Sequence, residues 1–263
     1  MDTVLESNKT KIAKRVIEVF EYFDEKNRTA TVMDIVRRYG RPQSSTSELL
    51  ANLVEMGLLY KDQRSRSYWL TPRVAAMGAN AQPAAIRDGR LFGFMDRLAA
   101  SSRHGVALFG MVGTQVQIFH WSPGPDLDLP QIHRGSSEKL STSAAGHLLL
   151  STTEPDQVAR VLRRLNAEAA EEAKFNAAEL SGRIAQYGRQ GHATGASGFV
   201  PGGLLTATLL PSKDDNRPLA LGFLYPEGAA IDPLALVGTL DRGIAACMSE
   251  ERTAPTAPFM MAV

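Results

Sequence analysis

The tripeptide Gly40-Arg41-Pro42 restricts the fold of this chain more than any other feature. Glycine supplies the left-handed residue that ends a helix, and proline cannot continue that helix but tolerates the start of the next. On one side, Val32, Ile35, Val36 and Tyr39 recur at helical spacing; on the other, Thr46, Leu49, Leu50, Leu53 and Val54 do the same up to Met56-Gly57. Two short helices about a tight turn form a helix-turn-helix. An amphipathic helix over 8–25 precedes it, with Ile12, Val16, Val19, Phe20 and Phe23 inside and Asn8 or Thr10 as cap. Leu58-Leu59-Tyr60 reads as a strand, Lys61–Ser67 as a polar and basic tip, and Tyr68-Trp69-Leu70 as the returning strand. This hairpin predicts the wing of a winged helix, and Tyr68 and Trp69 read alternatively as edge-strand core residues. Residues 1–76 therefore read as a winged helix-turn-helix.

Pro72 and the small-residue stretch Ala75–Ala85 mark a boundary, and residues 77–100 read as a linker and linker helix built on Ile86, Leu91, Phe94, Met95, Leu98 and Ala99. Beyond it, Val106–Val112 and Gln115–Trp121 flank Gly113-Thr114 as a hairpin, followed by a loop over Pro123–Pro130. Helices are expected over Ser141–Leu150 (capped by Ser141 or Thr142), Pro155–Leu165, Ala177–Gln190 and Asp232–Glu251, and strands over Leu204–Leu210 and Leu219–Tyr225. Strands mixed with helices, without regular alternation, imply an α+β domain over 101–251. The segment 252–263 reads as a tail.

Of 263 residues, 44% are hydrophobic and 22% charged, ordinary for a globular protein with a real core. Residues 1–82 hold 13 Lys and Arg against 10 Asp and Glu, while the remainder holds 16 against 18. A modestly basic first domain is compatible with a nucleic-acid footprint. The single cysteine, Cys247, precludes an internal disulfide. The start carries no basic segment followed by an apolar core, and no run is long enough to span a bilayer, so a cytoplasmic protein is expected.

Enzyme chemistry finds little support. No phosphate-binding loop occurs, and Gly195-Ala196-Ser197-Gly198 misses a nucleophile elbow by one position. The five histidines, His104, His120, His133, His147 and His192, lie too far apart for a helical metal pair. No catalytic residue, metal ligand or cofactor is expected.

A helix-turn-helix reads DNA by laying its last helix in the major groove, where base pairs are distinguishable. Gln43, Ser44, Ser45, Ser47 and Glu48 lie on the opening turns of that helix, off its leucine stripe. Ser44 and Ser45 suit phosphate, Gln43 suits adenine, and Glu48 suits a cytosine amino group. Arg41, Arg64 and Arg66 suit the phosphate backbone. For each residue, a merely solvated face is the alternative. One winged helix covers half a site, so a homodimer is expected.

At this point the sequence resembles the IclR-type family of bacterial transcriptional regulators. The similarity rests on Gly40–Leu59, on Tyr68-Trp69-Leu70-Thr71-Pro72 running into the linker, and on Leu140-Ser141-Thr142-Ser143-Ala144-Ala145-Gly146-His147-Leu148-Leu149-Leu150. It departs where Gln43 and Glu48 stand in place of the family's common Lys and Arg. The resemblance implies a GAF-like effector domain, a dimer or dimer of dimers, and control of a catabolic operon by a small metabolite. The lining of the effector site would come from Phe109, Met111, Phe119, Trp121, Phe199, Leu204, Thr206, Gly222 and Leu224, with Ser141, Thr142 and Ser143 as anion donors at a helix start. The family often has Cys at the position of Leu204 and Ser at those of Gly222 and Leu224. Loss of these polar partners favours an apolar or aromatic effector. Two other readings stay open: an enzyme with a fused winged helix, and a DNA-binding protein that needs no effector.

Overall fold

The computed structural model describes residues 8–24, 26–79, 82–125, 132–211 and 218–249. The expected tail over 252–263 and the later part of the 123–130 loop lie outside them. The chain divides into two compact units, 1–83 and 84–263.

The first unit runs α1 (Asn8–Tyr22), α2 (Val32–Tyr39), α3 (Gln43–Glu55), β1 (Leu59–Lys61), β2 (Tyr68–Leu70) and α4 (Pro72–Ala79). Thr31 and Asp34 cap α2 reciprocally: the Thr31 amide donates to Asp34 Oδ2 at 2.8 Å, and the Asp34 amide donates to Thr31 Oγ1 at 3.3 Å. Gly40, at φ 62°, ends α2, and Pro42 opens α3. Val19, Ile35, Leu50, Leu53, Leu58, Leu59 and Tyr68 form one core, so Tyr68 is an interior residue. The two strands pair antiparallel, Leu59 opposite Leu70, and Ala30 bridges to Tyr68.

The second unit runs α5 (Ala84–Arg87), α6 (Arg90–Ser102), β3 (Gly105–Val112), β4 (Gln115–Ser122), β5 (Ser137–Lys139), α7 (Ala144–Leu150), α8 (Pro155–Ala167), α9 (Ala177–Gln190), β6 (His192–Ala196), β7 (Gly203–Leu209), β8 (Leu219–Pro226) and α10 (Pro233–Ser249). The six strands form one antiparallel sheet in the order β5-β4-β3-β8-β7-β6. One face packs Ala107, Phe109, Ile118, Leu205 and Leu224 against Leu148 and Leu149 of α7 and Leu162 of α8. The other packs Val106, Leu108, Leu221 and Phe223 against Leu91 and Met95 of α6 and Leu240 and Ile244 of α10.

The stretch expected as a linker, 77–100, is divided in the structure. It holds the end of α4, then α5, then a left-handed Gly89 that begins α6. Leu91, Met95 and Leu98 bury the α6 stripe on the sheet of the second unit, because an apolar face this wide needs a partner.

Three histidines of this unit are held below their usual pKa. Burial lowers His104 and His147, and burial with the nearby Arg134 takes His120 down to about 4. The His120 ring stacks on Phe92 at 4.2 Å. An unfolded histidine titrates near 6.5, so the unfolded chain binds protons first. This contribution to stability is complete above about pH 6.5 and erodes as the pH falls toward 4. The melting temperature of the second unit should drop between pH 7 and pH 5, and less so in His120→Asn. An equal drop in both proteins would show that His120 is not a source of the effect.

Candidate DNA interface and effector site

The side of α3 away from the core is a continuous exposed surface. Ser44, Ser47, Glu48, Ala51, Asn52 and Glu55 follow each other at helical spacing and are all exposed, as is Gln43. Thr46, Leu50 and Leu53 anchor the opposite side. Ser45 is half-buried, and its hydroxyl accepts from Arg15 Nη2 at 3.1 Å and donates to the Pro42 carbonyl at 3.3 Å. The residues that the sequence places on the DNA side end at Glu48. Asn52, four residues on, shares the same face and carries a side chain able to pair with adenine; the period itself was the signal.

Arg41, expected to face a phosphate, is engaged within the protein. Its Nε donates to Glu18 Oε2 at 3.1 Å and its Nη2 to Glu18 Oε1, a bidentate pair with a largely buried carboxylate. The wing loop is shaped by Asp62, whose Oδ1 accepts from the Arg64 amide at 2.7 Å and the Ser65 amide at 3.3 Å. These bonds, the first the larger, hold the Asp62 carboxyl below its usual pKa. Arg64 and Arg66 are exposed at the tip, with Arg66 in the left-handed region at φ 57°.

In the second unit, the residues expected to line one effector site fall on both faces of the sheet. Phe109, Met111, Trp121, Phe199 and Leu224 belong to the α7 side. Leu204 packs on the α6 and α10 side. Thr206 shares a hydrogen bond of 2.8 Å with the hydroxyl of Tyr225, a residue of that second side. Phe119 covers Gly110, whose direction alternates with Phe109 and Met111, and is 43% exposed. Phe109 and Leu224 are fully buried core residues. At Gly222 a Cβ would meet that of Ala207 at 2.7 Å, so neighbouring side chains already fill this place.

The helix expected at Ser141 begins later. Ser143 is the N-cap of α7 without a side-chain cap bond, and Thr142 Oγ1 donates to the Lys139 carbonyl at 2.9 Å instead. The Ser141 carbonyl lies 2.9 Å from His147 Nε2. Two hydroxyls stand out: Ser143 Oγ and Ser197 Oγ are fully buried and have no hydrogen-bond partner among the described residues. Their segments meet. A Cβ on Gly198 would lie 3.3 Å from that of Ser143 and 3.2 Å from the Thr142 carbonyl oxygen. Next along, Phe199 sets its ring 5.8 Å from that of Phe109. In the sequence Ser197 stands only within an incomplete nucleophile motif.

Residues 13–63 match the IclR helix-turn-helix domain family. The chain carries an IclR-type DNA-binding domain. No curated protein matches the sequence. The solved structures it resembles include an IclR homologue from Microbacterium hydrocarbonoxydans complexed with 4-hydroxybenzoate, at 19% identity and a TM-score of 0.60, covering 92% of this chain and 100% of that one. An IclR regulator from Alicyclobacillus acidocaldarius matches at 19% identity and 0.60, covering 92% and 98%. The Agobacterium tumefaciens repressor BlcR matches at 16% identity and 0.51, covering 92% and 97%. The IclR-type domain is thus followed by a second domain in the fold of these regulators, which accords with the resemblance read from the sequence. Among the described residues no helix is long and apolar enough to cross a membrane, and no group of three metal-ligating side chains occurs.

Proposed function

We propose that this IclR-type DNA-binding regulator is a cytoplasmic, dimeric protein whose second domain answers to a small apolar or aromatic molecule with one polar end. Two supports concern the DNA. The exposed face from Gln43 to Asn52 is free of the core and suits base edges, and Arg64 and Arg66 suit the flanking phosphates. A helical recognition element of this size covers a half-site, which is the argument for a two-fold dimer on a palindrome.

The observation that carries the effector reading is the pair of buried, unpartnered hydroxyls, Ser143 Oγ and Ser197 Oγ. Leaving such a group unpaired costs about 1–3 kcal/mol, and a ligand that accepts from it would recover that energy. Phe199 and Trp121, both only partly buried, border the same core and offer aromatic surface. A site of mainly apolar walls with a few placed polar groups is the usual form of a small-molecule pocket. That a structural relative binds 4-hydroxybenzoate agrees with this chemistry. In this reading Phe109, Leu224 and Gly222 support the site from beneath, while Leu204, Thr206 and Phe119 take no part.

The test is the double variant S143A/S197A. Removing unpaired hydroxyls should leave the unliganded melting temperature unchanged or slightly raised. A thermal-shift titration with 4-hydroxybenzoate should show stabilisation of the unchanged protein, and at least tenfold weaker binding to the variant. If aromatic acids bind both proteins alike, or if small hydrophilic diacids bind better, the effector reading is wrong.

A further inference from the structure

A groove of about 420 Å³ runs between α1 and the turn that opens α3. Its walls carry Lys11, Lys14, Arg15 and Arg41, together with Ile12, Pro42 and Ser45, and among the described residues no carboxylate lines it. Four cationic side chains converge there from two segments 26 or more residues apart in sequence. Glu18 holds Arg41. No carboxylate among the described residues pairs with Lys11, Lys14 or Arg15. Like charges around one groove raise each other's energy, and an anion seated among them would relieve that repulsion. The α3 end bordering the groove adds to the positive field, because its first turn contains no acidic residue.

The arrangement is tied to the base-reading helix. Arg15 donates to Ser45 Oγ at 3.1 Å, and Ser45 sits one turn before Glu48 on α3. An anion in the groove would therefore lie next to whatever α3 contacts. A DNA phosphate fits this place by charge and position, since a duplex that admits a helix to its major groove presents phosphates along the groove's rim.

We infer that the groove between α1 and α3 seats a phosphate of the DNA backbone, which makes Lys11, Lys14 and Arg15 of α1 a third contact element beside α3 and the wing. This inference rests on the DNA-binding reading above. Arg15 acts from the wall as the link to Ser45; Lys11 and Lys14 are the exposed cations that meet the phosphate. Glu18, by holding Arg41, limits how much further positive charge the seat can offer.

The test uses the full chain with K11Q/K14Q, which leaves Arg15 and its bond to Ser45 in place. Binding to mixed-sequence duplexes should weaken about tenfold at low salt. The dependence of log affinity on log salt should flatten by about one, the value expected for one lost phosphate. The thermal melt should stay the same or rise slightly, since two of the mutually repelling charges are gone, and K11R/K14R, which keeps the charges, should bind as the unchanged protein does. If the unchanged protein binds duplexes without salt dependence, the DNA-binding reading itself fails. If it binds with a normal slope and K11Q/K14Q matches it, only the groove inference fails. Inorganic phosphate separates the remaining source. If millimolar phosphate stabilises the unchanged protein but not K11Q/K14Q, while both bind duplexes equally, the groove takes a free small anion and the inference is overturned.

Discussion

Phe109→Ala is expected to lower the stability of the second unit by about 3–5 kcal/mol, the range for emptying a buried aromatic site. Phe109 is fully buried against the residues that join the sheet to α7, and its ring is paired with that of Phe199. Domains of this size are stable by only about 5–15 kcal/mol, so the loss is a large share of the total. Phe119→Ala is the matched control. Phe119 looks equivalent in sequence but is 43% exposed over Gly110, and its removal should cost well under 1 kcal/mol. Chemical denaturation followed by circular dichroism measures both. Near-equal midpoints for the two variants would show that Phe109 lines a ligand space rather than a packed core.

These two phenylalanines differ in register, which their sequence context does not reveal. Strand parity assigns a side chain to a face only while the register holds, and the β3–β4 ladder shifts between Leu108 and Phe109. After that bulge, Phe119 no longer falls on the face of Trp121. On β7, parity separates Leu204 and Thr206 from Leu205 and Ala207, whereas residue type alone groups them together. The first unit was more legible because its signals are local. Gly40 and Pro42 fix the turn by backbone geometry, and the α3 stripe is set by period. What escaped there was long-range. Glu18 lies 23 residues from Arg41, and nothing nearby announces that a carboxylate on α1 claims that guanidinium. The short strands β5 and β6 are not legible in the sequence for a related reason. Ser137-Glu138-Lys139 and His192-Ala193-Thr194-Gly195-Ala196 carry little β-branched or aromatic character, and their pairing with β4 and β7 makes them strands. The two buried, unpartnered hydroxyls are the extreme case. Ser143 and Ser197 are unremarkable serines, and only burial without a partner sets them apart.

The wing supplies the largest expected effect on DNA binding. Arg64 and Arg66 are exposed on a loop whose shape does not depend on their side chains: Asp62 holds it through the amides of Arg64 and Ser65, and the Asp62 amide donates to the Ser67 carbonyl at 2.9 Å. Truncating both arginines therefore removes charge while leaving the hairpin in register. R64A/R66A should bind all duplex sequences at least tenfold more weakly. The salt slope should flatten by about two, since each lost phosphate contact accounts for about 0.9. Base preference should stay the same, because phosphate contacts position a protein without reading sequence. Arg66 already carries a Cβ at a positive φ, so alanine adds no backbone strain there, and R64A/R66G, which relieves that strain, checks whether loop geometry matters as well as charge. If R64A/R66G regains the lost affinity, backbone geometry was responsible. If it binds as weakly as R64A/R66A, with the same reduced slope, the charges were. Mobility-shift titrations across a salt series decide the matter, and an unchanged slope in both variants would rule the wing out as a phosphate clamp.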